Sequence, residues 1–359
     1  MEADPLFGNL DALSGPTSVY VYQHTDGSWV YLLGENHDMH GDLSKPALLD
    51  VLIEHRNAVH VIIEKGVDEV LLAANHMKSN PGVARAPLAQ LAHHHVYGQA
   101  KEFMSFTFAD MRRQHPYHIL EAVYGFGSYL QIHKRNIVDS TEFLAFRKRI
   151  KLFEKDVYKH ISTRKQCRAF LNSMAFPDKP FPAWYSRWLE ELSNANESSR
   201  PSLKTLLAQY SDAPWYGAVY EYVNDNWEAI VDRNGVYSAA MDRVAATRRT
   251  DSPNMVTEKY DALQTYFAIL FGILMEAYIL IKVQTLESKI KVILVGSDHC
   301  QRLKEFFSIR NGYEPIYQAH ALQDGYIDLV KHRDKRLRVV GPTRALHAFA
   351  RAHQEKHKE

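Results

Sequence analysis

Two stretches far apart in the chain end in the same pattern: an apolar run, a glycine and, three residues later, a histidine. The first is YLLGENH, residues 31–37, and the second is ILVGSDH, residues 293–299. Apolar runs of this kind indicate buried strands, and ligands bind beyond the carboxyl ends of parallel strands. Imidazole groups placed there serve as general acids, general bases or metal ligands. The pattern predicts one site that contains His37 and His299.

Acidic residues accompany both histidines. Glu35 and Asp298 lie inside the two motifs, and Glu64 ends a third apolar run, VHVIIE. The predicted catalytic residues are Glu35, His37, Glu64 and His299. Asp298 is predicted to contact substrate. Because the strand-end side chains face a crevice, we expect His37 and Glu64 to contribute little to stability.

Two kinds of hydrolysis remain open for these side chains. In the first, a divalent manganese, cobalt or zinc ion lowers the pKa of a bound water. Its predicted ligands are His37, Glu35, Glu64 and His299. In the second, a histidine oriented by a glutamate removes a proton from water. The other histidine then stabilises the oxyanion or protonates the leaving group.

The motifs resemble the superfamily that joins TraB/Tiki proteins, the erythromycin esterases and the ChaN-like haem-binding lipoproteins. The resemblance rests on LLGENHD at 32–38, VIIEKG at 61–66 and VILVGSDHCQRLKEFF at 292–307. It implies a hydrolase that cleaves an ester, lactone or peptide bond, with both motifs at one mouth of an α/β sheet. The segment FADMRR is similar to an Asp-x-Arg element of some members, which implies that Asp110 and Arg112 contact substrate.

Other readings of the same residues stay open beside the hydrolase. One is a protein of the same fold that binds a metal or, as the less favoured cofactor, haem. The other is a catalytically silent structural or virulence-associated protein. The predicted partner is a small-molecule or peptide substrate, with no nucleic acid and no membrane span.

The distribution of strand-like and helix-like segments predicts an α/β fold. We expect a central mixed sheet built from amino-terminal and carboxyl-terminal strands, with a large helical insertion between them. The predicted divisions are 1–66 and 289–359 for the two halves of the α/β core, and 67–288 for the mainly helical insertion or cap.

Individual elements are predicted from apolar periodicity and turn residues. The predicted strands are a hairpin over 18–34 with the turn TDGS, and runs over 59–64, 291–295, 313–319 and 337–340. The predicted helices cover 48–55, 301–310 and a segment from about 343 onward. We also predict that Tyr266–Val283, an apolar stretch interrupted by Glu276 and Lys282, is an internal helix rather than a membrane span.

Composition narrows the function classes. The 359 residues carry 43 Lys plus Arg against 42 Asp plus Glu, a formal net charge of +1 that shows no overall basic footprint for nucleic acid. Two cysteines exclude a disulfide framework. Cys300 is predicted to be a packed thiol rather than a nucleophile, and His93–His95 a surface run. The amino terminus lacks the features of a secretory signal. We therefore expect a cytoplasmic protein, with a translocated effector left open.

Overall fold

The structure is a computed structural model of the chain. The residues that it describes are 4–36, 42, 44–65, 87–99, 104–110, 148, 151, 155, 158–183, 185–186, 203–233, 236–246, 248, 253–309, 312–321 and 326–330. Contacts divide the chain into two compact units. The first, the sheet unit, comprises Met1–Glu64, Asp68–Thr107 and Glu287–Glu359. The second, the helical unit, comprises Lys65–Val67 and Phe108–Leu286.

Eight strands are described. They are β1 (Ala12–Ser14), β2 (Ser18–His24), β3 (Trp29–Glu35), β4 (Val59–Ile63), β5 (Ser105–Phe108), β6 (Ile290–Gly296), β7 (Tyr313–His320) and β8 (Tyr326–Asp328). Nine helices are described. They are α1 (Leu48–Glu54), α2 (Pro87–Tyr97), α3 (Lys159–Ile161), α4 (Arg164–Ala175), α5 (Leu203–Gln209), α6 (Tyr216–Arg233), α7 (Val236–Ala245), α8 (Pro253–Thr285) and α9 (Ser297–Ile309).

Six of the strands form one mixed sheet in the order β5-β4-β6-β3-β2-β7. Strands β4, β6 and β3 run parallel to one another, while β2 is antiparallel to both β3 and β7. This confirms the predicted α/β fold with a mixed sheet. β6 is flanked on both sides in the sheet and buried along nearly its whole length, which is the pattern of a central parallel strand. The middle of the chain adds one strand, β5, that the sequence analysis did not place.

The predicted hairpin is confirmed as β2 and β3. Its turn contains Gly27 at a φ of 80°, in the left-handed region that glycine adopts without strain.

The segment β3-α1-β4 gives two parallel strands, as its order predicts, but β6 lies between them in the sheet. β1 and β8 form a separate antiparallel pair that the sequence analysis did not predict. The strand predicted over 337–340 and the helix predicted from 343 lie outside the described residues.

The helical unit contains α8, which includes the apolar stretch Tyr266–Val283. Most side chains from Leu270 to Val283 are buried, while Ile269 is exposed. Within the ranges that the structure describes, no helix is both long enough and apolar enough to span a bilayer. Glu276 interrupts the apolar run and is itself fully buried. Its Oε2 accepts a hydrogen bond of 2.6 Å from the Tyr222 hydroxyl on α6, which gives the buried carboxyl group a polar partner.

Candidate active site

The candidate site lies at the carboxyl edge of the three parallel strands. The register pairs Glu35, the last residue of β3, with Gly296, the last residue of β6. Glu64 directly follows β4, and its backbone N–H donates to the carbonyl oxygen of Leu294 at 3.0 Å. Three adjacent strands therefore end together, and α9, which carries His299, begins immediately after β6. In open α/β sheets this edge is where ligands bind.

Glu64 connects two of these elements through both of its carboxylate oxygens. Its Oε2 accepts a hydrogen bond of 2.6 Å from the backbone N–H of Gly296. Its Oε1 lies 3.3 Å from Nε2 of His299. The Glu64 side chain is only 7% exposed, so its contacts replace those that water would otherwise make. This corrects the expectation that Glu64 contributes little to stability, because removing the carboxylate would leave a part-buried backbone N–H without this acceptor.

His299 is held from both sides of its ring. Nε2 faces Glu64, and Nδ1 lies 3.0 Å from a guanidinium nitrogen of Arg302. Since arginine can only donate, Nδ1 must accept, which places the proton of a neutral ring on Nε2, the nitrogen nearer the Glu64 carboxylate. The His299 side chain is 14% exposed. The arrangement makes Nδ1 the basic nitrogen and Glu64 the group that orients the ring.

The sequence motifs did not indicate Arg302 or Ser297 as site residues. The helix was predicted to begin at Gln301, but α9 begins at Ser297, so that prediction was four residues late. Ser297 followed by Asp298 in the first turn is a helix-start signal. A helix begun there places Arg302 three residues after His299 on one face, within side-chain reach. The Ser297 hydroxyl links the start of α9 to the end of β3, because it donates a hydrogen bond of 3.0 Å to the Glu35 carbonyl oxygen.

Glu35 belongs to the same edge, but its side chain supports a helix. It is 2% exposed, and its Oε2 accepts a hydrogen bond of 2.7 Å from the backbone N–H of Leu88. Leu88 is the second residue of α2, where backbone N–H groups have no partner within the helix and a carboxylate is favoured by the helix dipole. Glu35 therefore anchors α2 to the end of β3, a contact that the sequence did not indicate.

Both motif glycines are explained by close packing. Neither Gly34 nor Gly296 is among the described glycines with positive φ. A Cβ atom at Gly34 would collide with the Ser18 hydroxyl and lie 3.2 Å from the Cys300 sulfur. A Cβ atom at Gly296 would lie 3.2 Å from Oε2 of Glu64. The motif glycine thus lets α9 pack on β3, and lets a carboxylate approach the backbone of β6.

Replacing Gly34 with alanine is therefore expected to destabilise the protein by about 1–2 kcal/mol, the usual cost of overpacking a tight contact. Thermal or urea unfolding measures the change. Gly217→Ala in α6 is the control, since a Cβ atom there meets nothing within 4 Å and alanine is the better helix former. Equal stability of the Gly34 variant and wild type would contradict this packing.

Cys300 is a packed thiol. It is 1% exposed, and burial raises the pKa of its thiol to about 12. A thiol nucleophile needs a lowered pKa and access to solvent, so Cys300 has neither property. Its Sγ lies 3.7 Å from the Ser18 hydroxyl. Its position at the start of α9 serves the contact with β2 and β3.

We expect neither cysteine to react with Ellman's reagent in the native protein at pH 8. Cys167 is also fully buried, and both thiols should become reactive in guanidinium chloride. The absorbance at the thionitrobenzoate maximum counts the reacted thiols directly. One rapidly labelled thiol in the native state would show that Cys300 is accessible, contrary to its packing.

The remaining predicted residues fall in different places. His37 and Arg112 lie outside the described residues. Asp298 is exposed in the first turn of α9. Asp110 is buried in the helical unit, where its backbone N–H donates to the Lys65 carbonyl at 3.2 Å. Their predicted roles in catalysis or substrate contact stay predictions.

The histidine run His93–His95 is only partly at the surface. α2 turns His95 outward, whereas His94 is 6% exposed. The prediction of a surface run is therefore wrong for His94. The physical reason is the helix itself, which points consecutive side chains in directions about 100° apart.

The predicted metal site is only partly described, because its ligand His37 lies outside the described residues. Among them, no three or more His, Cys, Asp or Glu side chains are grouped to hold a metal ion. The metal site predicted on Glu35, His37, Glu64 and His299 stays a prediction.

The fold and the site define an α/β protein with a carboxylate–imidazole pair at the carboxyl edge of its parallel strands. Comparisons of the chain with protein-family profiles, curated proteins and solved structures found no match. The resemblance to the TraB/Tiki, erythromycin-esterase and ChaN-like superfamily therefore rests on the quoted motifs.

Proposed function

We propose that this protein is a hydrolase whose general base is His299, oriented by Glu64. The observation that carries the proposal is the contact of Glu64 with both the Gly296 backbone and Nε2 of His299. A carboxylate that is itself held by the backbone fixes the ring and stabilises the positive charge that the ring acquires on taking a proton. The bond cleaved would be an ester, lactone or peptide bond, as the motif resemblance implies.

The proposed reaction needs only protein side chains and water. Nδ1 of His299 takes a proton from a water molecule while the water oxygen attacks the carbonyl carbon of the substrate. The Arg302 guanidinium moves from Nδ1 to the oxyanion that forms on the carbonyl oxygen. When the tetrahedral intermediate collapses, the imidazolium returns its proton to the leaving group, and the acid product is released. His37 is proposed to donate to the oxyanion or to the leaving group.

The first test is a screen of the purified chain against p-nitrophenyl esters, aryl lactones and fluorogenic peptides, with wild type and His299→Asn compared in parallel. Hydrolysis by wild type that His299→Asn loses supports the proposal. Absence of turnover on all three substrate types, or equal turnover by the variant, contradicts it.

Arg302→Met is expected to lower kcat/KM of that reaction by about 10²-fold, because removal of one oxyanion donor typically costs ~10²–10³ in rate. Arg302→Lys should restore part of the loss, since an ammonium group can still reach an oxyanion from this helix face. Steady-state kinetics on the best substrate measures both variants. A higher rate in Arg302→Met would instead show that the Arg302 hydrogen bond hinders His299 as a general base.

A further inference from the structure

Four lysines of the helical unit recur at the spacing of a single helix face. Intervals of three, four and four residues place side chains on the same side of a helix, and all four residues are helical and exposed in the structure. On a helix, a row with this spacing is about 16 Å long. We refer to these residues as the lysine face. They are Lys148, Lys151, Lys155 and Lys159.

The charges of the lysine face are uncompensated. Within the part of the chain that the structure describes, none of the four ammonium groups forms an ion pair or a side-chain hydrogen bond. Arg168, by contrast, is paired with Glu228 at 3.0 Å and is not counted here. The segment is cationic in sequence as well, since residues 147–159 contain six Lys or Arg and two Asp or Glu. Like charges three or four positions apart on a helix repel one another, and an anionic partner would relieve that repulsion.

Each of these lysines is followed, two residues later, by an apolar residue. Two residues turn a helix by about 200°, so the apolar residues belong to the side opposite the lysines. Ile161, the member of this set that the structure describes, is 1% exposed. The pattern is that of an amphipathic helix that packs through its apolar side and presents its lysines to solvent. The apolar residues are Ile150, Phe153, Val157 and Ile161.

The chemistry of the lysine face favours one kind of anionic partner. An ammonium group acts as a point charge and needs no defined geometry, unlike the planar fork of arginine. Sites for single-stranded nucleic acid combine a positive groove with aromatic side chains on which bases stack, whereas the lysine face contributes ammonium groups alone. A bilayer with anionic lipids presents a continuous negative surface that attracts exposed lysines in this way.

We propose that the lysine face binds the surface of a bilayer that contains anionic phospholipids. The contact is peripheral, with the ammonium groups among the phosphate headgroups and no apolar segment inserted into the hydrocarbon. Binding therefore weakens as salt is added, because salt screens exposed charges. This surface is independent of the proposed hydrolase, since none of its residues belongs to the candidate active site.

The test is co-sedimentation of the full chain with vesicles of phosphatidylcholine and phosphatidylglycerol, in parallel with a variant that carries Lys151→Gln and Lys155→Gln. We expect wild type to bind these vesicles at low salt and the variant to bind them at least about tenfold more weakly, given the usual contribution of each lysine near an anionic surface. The matched control carries Lys179→Gln and Lys289→Gln. These changes remove the same charge from two exposed lysines outside the lysine face, so the control should bind as wild type does.

Further measurements distinguish this partner from other surfaces and other polyanions. They use vesicles of phosphatidylcholine alone, a single-stranded oligoribonucleotide and polyglutamate. Failure of wild type to bind the anionic vesicles would overturn the proposal, whether or not it binds RNA or polyglutamate. Equal binding to vesicles without phosphatidylglycerol, or equal affinity of the lysine-face variant and wild type, would do the same. The melting temperature of each variant should match that of wild type, because the replaced side chains are exposed.

Discussion

Glu64→Gln is expected to lower kcat/KM of the hydrolysis by about 10²–10⁴-fold, the usual contribution of a positioned acid–base group. Glutamine keeps the shape of the side chain and one oxygen acceptor. It lacks the negative charge that stabilises the His299 imidazolium. It also lacks the second carboxylate oxygen, so a single oxygen must serve either the Gly296 N–H or Nε2 of His299. The measurement is the pH–rate profile of both enzymes, in which the limb for the general base should shift in the variant.

A double-mutant comparison tests whether Glu64 acts by positioning His299 or whether its replacement disturbs the structure in general. Once His299 is replaced by asparagine, Glu64→Gln should cause little further loss, because residues that act as a unit are not additive. Glu305→Gln is the control, since Glu305 is an exposed carboxylate on α9, and it should leave the rate unchanged. If the losses from Glu64→Gln and His299→Asn simply multiply, Glu64 does not act through His299.

Tyr222→Phe is expected to destabilise the protein by about 2–3 kcal/mol. The Tyr222 hydroxyl donates to Oε2 of Glu276, which is fully buried in the middle of α8. Phenylalanine removes that donor but keeps the ring, and depriving a buried carboxyl group of a hydrogen bond costs more than a neutral pair would. Urea unfolding followed by far-ultraviolet circular dichroism measures the loss.

The half-exposed Tyr216 in the same helix provides the comparison. Tyr216→Phe should change stability by no more than about 0.5 kcal/mol, as surface substitutions usually do. A second variant, Tyr222→Phe with Glu276→Leu, removes both polar partners. It should recover part of the stability, because replacing a buried pair by apolar groups is often nearly neutral. Stability of Tyr222→Phe equal to that of wild type would show that Glu276 does not depend on this bond.

The strands that carry the site were readable from sequence. Runs such as VHVII and IKVILV are apolar, short and bounded by turn residues, and local pattern is enough to identify such strands. The sequence also predicted that β3 and β6 belong to one sheet, because two similar strand ends favour one sheet edge, but only the structure showed that they are direct neighbours. The motif alone, however, did not show which contacts Glu35 and Glu64 make.

The tertiary structure decided the roles of those two carboxylates. Glu35 and Glu64 look alike in sequence, each at the end of an apolar strand, yet one supports the start of α2 and the other holds His299. Arg302 became part of the site only through the true start of α9. The spacing of apolar residues can be read from neighbours in the sequence. The hydrogen-bond partner of a side chain depends instead on which distant elements the sheet brings side by side. The sequence by itself thus determined the strands and the candidate residues, and long-range packing decided which atoms meet.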